Sequence, residues 1–157
     1  MGRNQLRHSP RRTQYGRQGT AKKPALKAVA NETPPSPYKD DLVRIFLDDE
    51  RPCPPGWTLT RSLGQFIRAV TECPPEKLGG LALDWDLGYG QPNGHDAVEF
   101  VIEHLTANPE AFEFDGIFCH SACREEAVKM AKALNAALEQ HENLSWIAVM
   151  LELPGSQ

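Results

Sequence analysis

No run of apolar residues in this 157-residue chain approaches the ~20 needed to cross a bilayer, so no membrane span is expected. The basic start is followed by no apolar segment, which argues against a secretory signal, and "MGRNQL" lacks the Ser or Thr of a myristoylation site. Cysteine is scarce. Cys53, Cys73, Cys119 and Cys123 are too few for a disulfide scaffold, and no two of them stand as Cys-x-x-Cys. No internal repeat is visible, and the length suits one domain with one site. Together these absences lead us to expect a soluble, cytoplasmic protein with free thiols and no membrane partner.

The net charge of −4 is unevenly spread. Residues 1–37 carry eight Lys or Arg against Glu32 alone, a net of +7, whereas the rest carries nine against twenty acids, a net of −11. The first segment also lacks apolar periodicity and closes on the turn-rich "NETPPSP", so 1–37 is expected to be a basic disordered tail and 38–157 the folded domain. A basic arm is an electrostatic handle for nucleic acid. A solubilising extension or an organelle transit peptide has the same composition.

Within the body, short apolar runs alternate with helical stretches. "LVRIFL" (42–47), "LALDW" (81–85), "GIFC" (116–119) and "WIAVML" (146–151) suit strands covered on both faces. Ser62 to Glu72 opens with Ser62 and Gln65 spaced as a capping box. Gly94 to Leu105 and Cys123 to Gln140 each carry an apolar stripe at helical spacing. Strand and helix in alternation predict an open parallel α/β sheet. In such sheets ligands bind outside the carboxyl ends of the strands.

Acidic residues gather at those ends. Asp48 and Asp49 follow the first strand, Asp84 and Asp86 close the next strong one, and His120 and Ser121 close "GIFCHS". Several carboxylates on one rim repel one another and raise each other's pKa, a penalty that a hard divalent cation removes. Mg²⁺ (or Mn²⁺) suits a few protein oxygens with its other positions left to water or phosphate. The plainer reading is that these acids cap helices or sit solvated in loops. "CHSAC", with Cys53, would also permit zinc, although the spacing matches no common site.

"FLDDERPCPPGW", "LALDWDLG" with Gly94 following, and "CHSA" resemble, in order and spacing, the cyclic-phosphate processing receiver family, a divergent branch of response-regulator receiver domains associated with RNA repair. The likeness runs from about Val43 to Leu151. It implies a five-stranded parallel sheet in the flavodoxin/receiver-like order 2-1-3-4-5. It implies a metal held by Asp48, Asp49 and Asp84, with Asp84 at the phosphoacceptor position. Two departures stand out. Receivers end the fifth strand with a Lys, whereas no Lys follows Lys132 here and "VMLELP" offers Glu152. The Pro-rich "RPCPPG" stands where a receiver has its first helix, so that helix is expected to be reduced to a loop, with "WTLTR" forming the second strand directly.

The resemblance implies hydrolysis of a cyclic phosphate, with the 2′,3′-cyclic phosphate of an RNA end or nucleotide as the substrate. In one scheme the metal orients water and His120 protonates the departing ribose oxygen; in another Asp84 attacks phosphorus itself. The catalytic candidates are Asp84, His120 and Asp49, and the substrate-binding candidates are Arg51, Ser121, Arg124 and Asp86. Arg51 offers a bidentate fork for phosphate and Arg124 lies at a helix start, where anions bind. Ser121 is equally suited to capping that helix. His95 and Asp96 read as caps, and Trp57 and Trp85 as base-stacking or core residues. The competing function is a catalytically inactive receiver-like module that binds a protein partner, a nucleotide or an RNA end.

Overall fold

The computed structural model of the chain describes residues 41–107, 109, 114 and 116–154. The basic tail expected over 1–37 lies outside the described residues. Five strands form one parallel sheet in the order β2-β1-β3-β4-β5: β1 (Val43–Leu47), β2 (Thr58–Thr60), β3 (Leu78–Asp84), β4 (Gly116–His120) and β5 (Val149–Met150). Three α-helices are interleaved: α1 (Leu63–Glu72), α2 (Gly94–Ala107) and α3 (Arg124–Leu138), with a 3-10 turn at Pro75–Lys77. The sheet order and its parallel sense are those expected. Among the described residues no helix is long and apolar enough to cross a membrane.

Local chemistry accounts for the element ends. Ser62 caps α1, its hydroxyl accepting from the Gln65 N–H at 3.2 Å, while Gln65 Oε1 accepts from the Arg61 N–H at 2.8 Å and so closes the box one residue earlier than the sequence pattern suggests. At α2 the cap is Asn93. Its Oδ1 accepts from the His95 N–H and Asp96 Oδ2 accepts from the Asn93 N–H, so Asp96 has the expected capping role and His95 does not. β3 starts earlier than the apolar run implied, because Leu78 and Gly80 pair with Val43 and Arg44 of β1, with Gly79 at a shift of register between them. β5 is only two residues long. Trp146, expected inside that strand, is half exposed in the preceding turn, with its indole N–H donating to the Asn143 carbonyl.

The two faces of the sheet are covered differently. Side chains alternate along each strand, and Ile45, Leu47, Leu81, Leu83, Ile117 and Cys119 pack in one cluster with residues from all three helices, including Phe66, Val70, Val101, Leu105, Met130 and Leu134. The opposite face carries a small cluster of Phe46, Trp57, Ala82 and Phe118, flanked by Cys53, Met150 and Leu153. As expected, no helix forms between residues 51 and 57; the Pro-rich segment runs as loop and turn into β2. Trp57 takes over part of the missing helix's place. It meets Phe118 edge-on, with ring centroids 5.7 Å apart, and its indole stands where a Cβ on Gly80 would come within 3.3 Å. Trp57 is therefore a packing residue and not a base platform, and Trp85 packs partly buried against the helical cluster.

The connection from β3 into α2 is a tight passage lined by backbone. The Gly94 N–H donates to the Trp85 carbonyl at 2.8 Å, and a Cβ on Gly94 would stand 2.6 Å from Met130 Sδ and 2.7 Å from Trp85 Cα. Because backbone cannot give way there, Gly94→Ala is expected to destabilise the domain by about 2–3 kcal/mol. Gly64, in α1 with nothing within 4 Å of an added Cβ, should gain about 0.5–1 kcal/mol as Ala. Urea unfolding of the two variants checks the contrast, and equal effects would count against it.

Candidate metal and phosphate site

The strand register builds the site. Leu47 pairs with Leu83, Leu83 with Cys119, and Asp84 with His120. One step past Leu47, Asp48 thus comes level with Asp84 and His120 on the face that carries Phe46, Ala82 and Phe118. The pairing continues past the strand ends, with the Asp48 N–H on the Thr60 carbonyl and the Trp85 N–H on the His120 carbonyl.

All three side chains are buried, with 0%, 3% and 5% exposure for Asp48, Asp84 and His120. Each contributes an atom to a group lying within 4.8 Å of one another. His120 Nδ1 is 3.6 Å from Asp48 Oδ2 and 3.8 Å from Asp84 Oδ1, and its ring stacks on Phe46 at 5.3 Å. Asp84 Oδ1 and both imidazole nitrogens have no hydrogen-bond partner. Buried polar atoms are nearly always satisfied, so three orphans at one rim point to a ligand. Two carboxylate oxygens and one imidazole nitrogen form a donor set that fits a divalent cation.

The electrostatics point the same way. Burial pushes the Asp84 carboxyl up to about 7, helped by the neighbouring Asp48 charge and opposed by Arg51 and by the Asp86 N–H. Burial also acts on Asp48, but hydrogen bonds from the Arg51 N–H, the Arg51 guanidinium and the Glu50 N–H outweigh it and hold that carboxyl below its usual value. Loss of water around His120 drives its imidazole down to about 4, although Asp48 pulls the other way. Without a ligand the ring is thus held towards its neutral form, in which a nitrogen lone pair can bind a metal or accept a hydrogen bond.

The other candidates separate clearly. Arg51 reaches the site, with Nη1 2.9 Å from Asp48 Oδ2 and 3.6 Å from Asp84 Oδ1. Asp49, expected as a metal ligand, is outside the buried group; it is half-buried beside the β3–α2 loop, where a Cβ on Gly88 would stand 3.3 Å from its Oδ2. The Asp86 carboxylate is exposed and accepts from the Gly88 N–H, so the residue serves Asp84 through its own backbone N–H. Ser121 Oγ accepts from the Cys123 N–H, which gives it a turn-forming role before α3. Arg124 is exposed at the first position of α3. The zinc alternative fails on the pleat: Cys119 lies in the helical core, facing away from His120, with burial pushing its thiol up to about 12.

Arg61 is a site residue that the sequence reading missed. Its Nη1 donates to the Asp48 carbonyl at 3.1 Å and to the Arg51 carbonyl at 2.8 Å, pinning the loop that carries both. The available signal was its position one step past Thr60, which pairs with Leu47.

A parallel five-stranded sheet in this order, with acids from β1 and β3 meeting at its carboxyl rim, defines a receiver-like domain. The model of the cyclic-phosphate processing receiver domain matches residues 43–136, from the start of β1 into the last turns of α3, and the chain belongs to that family. No curated protein and no solved structure was found to match.

The raised Asp84 pKa has a measurable cost. The folded chain holds the Asp84 proton to about pH 7, whereas the unfolded chain releases it near 3.8. The stabilisation from this group is thus complete below about 3.8 and is lost as pH rises through about 7. In metal-free buffer at pH 8, Asp84→Asn should be more stable than wild type by on the order of 2 kcal/mol. The gap should close towards pH 5, where Asp84 itself is neutral. His120 runs the other way, its contribution falling as pH drops from 6.5 to about 4, but it is common to both proteins. Urea titrations at pH 5 and 8 test this, and a gap that does not depend on pH would contradict it.

Proposed function

We propose that this domain hydrolyses cyclic phosphates with the help of a divalent cation, Mg²⁺ or Mn²⁺, and that its substrate is the 2′,3′-cyclic phosphate of an RNA end. One observation carries the reading: buried, unpartnered polar atoms of Asp84 and His120 converge on Asp48 beside the Arg51 cation. Family membership supports the substrate class.

In this reading Asp48, Asp84 and His120 hold the ion. An ion held there would supply Lewis-acid polarisation of a phosphoryl oxygen and a water oriented for attack. Arg51, one-third exposed, grips the phosphate from the solvent side through its planar fork. Asp49 lies at the rim outside the ligand group and accepts the proton of the attacking water; as the new P–O bond forms and one ring P–O bond breaks, that proton passes to the departing ribose oxygen. Arg124, with the N–H groups at the start of α3, binds a neighbouring phosphate of the chain. Direct attack by Asp84 is the weaker scheme, because a carboxyl with its pKa raised by burial to about 7 is poorly ionised on its own and, once ionised by a cation, is occupied as a ligand. The basic residues of 1–37 add sequence-independent, salt-sensitive contact with nucleic acid.

The test is incubation of the full chain and Mn²⁺ or Mg²⁺ with an oligoribonucleotide ending in a 2′,3′-cyclic phosphate, followed by separation of cyclic and opened ends. Wild type should open the ring, and chelation of the metal should stop it. Asp84→Asn should lower the rate by at least about a hundredfold, with Asp86→Asn close to wild type. Tight binding with the cyclic end left intact would instead establish a binding module.

A further inference from the structure

The two carboxylate oxygens that a cation would meet already face the Arg51 guanidinium, one hydrogen-bonded to it and one within ion-pair distance. Asp48 Oδ1 accepts from the Glu50 and Arg51 N–H groups at 2.9 and 2.7 Å, which leaves only Oδ2 for the site. Arg51 Nη1 stands on that oxygen at 2.9 Å and faces Asp84 Oδ1 at 3.6 Å. These are the same two atoms that face His120 Nδ1. Both oxygens lie within 3.6 Å of Nη1, so an ion bonded to them would stand close to the guanidinium. Two cations that close together, on a rim where Asp48 and Asp84 are withdrawn from water, repel strongly.

The attachment of Arg51 lets its side chain leave alone. Its N–H is fixed on Asp48 Oδ1 and its carbonyl on Arg61 Nη1, so the backbone is clamped at both polar groups. Beyond those clamps the side chain is 33% exposed and so borders solvent.

We propose that Arg51 is a built-in counter-cation that a divalent metal ion displaces. In the metal-free chain its guanidinium offsets the charge on Asp48 and Asp84. Metal binding ejects it, and the freed fork then becomes available to a phosphate oxygen, so the metal binds first and the phosphate second. The phosphate step rests on the function proposed above, whereas the exchange does not depend on any turnover.

Titration of the metal-free full chain with MnCl₂, followed by calorimetry and by the rise in melting temperature, tests the exchange. Arg51→Gln removes the competing charge and should bind Mn²⁺ at least about tenfold more tightly than wild type, with a correspondingly larger rise in melting temperature. Arg51→Lys keeps the charge without the fork and should fall between the two. Arg61→Gln loosens the loop without freeing the oxygens and should not tighten binding. If the Gln variant is partly unfolded without metal, Mn²⁺ should restore it at concentrations below those that saturate wild type. Equal or weaker Mn²⁺ binding by Arg51→Gln, or no binding by either protein, overturns the proposal. If the exchange is seen while the cyclic end stays intact, Arg51 keeps this role and the hydrolytic reading is the one that fails.

Discussion

The structure depends on one constraint: two carboxylates from adjacent parallel strands are buried level with each other. Parallel pairing in register makes this unavoidable once Asp48 and Asp84 each stand one residue past the paired Leu47 and Leu83. Water no longer screens them, so positive charge must come from the protein or from a ligand. The surrounding details serve that need. Two backbone N–H groups turn onto Asp48, the Asp86 N–H turns onto Asp84, and Arg51 spans both. Arg61 fixes the loop that makes this possible. A site that raises one of its own carboxyls to about 7 sacrifices stability, a common feature of functional sites.

The reduced first helix changes what lies over that pair. Among the described residues, the three helices pack on one face of the sheet, and Cys53 and Trp57 of the segment after β1 lie against the other, with Met150 and Leu153. The same stretch therefore has two tasks: its beginning shapes the rim around Asp48 and Asp84, and its end fills the core. Small side chains on the sheet at Gly80 and Ala82 are what allow an indole to lie there. A loop held by a few polar contacts can also release a side chain without unpacking a helix, which is the physical basis for a mobile Arg51 on a fixed backbone.

Much of this was legible from residues alone. Alternating apolar runs and helical stripes identified the sheet, and "RPCPPG" signalled the missing helix because proline excludes the backbone hydrogen bonds a helix needs. The convergence of Asp48, Asp84 and His120 followed from their positions at strand ends. The choice between Asp48 and Asp49 was not legible, since neighbouring residues on an extended chain face opposite ways and only the register decides which one points inward. The pleat likewise divided Cys119 from His120. The state of His120 depended on burial against Phe46, a tertiary fact with no local signature. Arg61 left only a positional signal, because its partners are the backbone carbonyls of Asp48 and Arg51, thirteen and ten residues back along the chain, and no charge pattern marks them.

The missing lysine is best understood through Arg51. The receiver likeness calls for a cation at the end of the fifth strand, yet β5 here is two residues long and is followed by exposed Leu151 and Glu152. The matched family segment ends before β5, at residue 136. The positive charge has instead moved to the opposite side of the acids, onto the loop after β1, and in an arginine rather than a lysine. The exchange matters chemically. A lysine ammonium is a point charge suited to one phosphoryl oxygen, whereas a guanidinium presents a planar fork that can span two, as a diester or a ring phosphate offers. With Asp84 buried to 3% and facing both Arg51 and His120, the acid at the phosphoacceptor position is enclosed by a guanidinium and an imidazole in place of a strand-end ammonium.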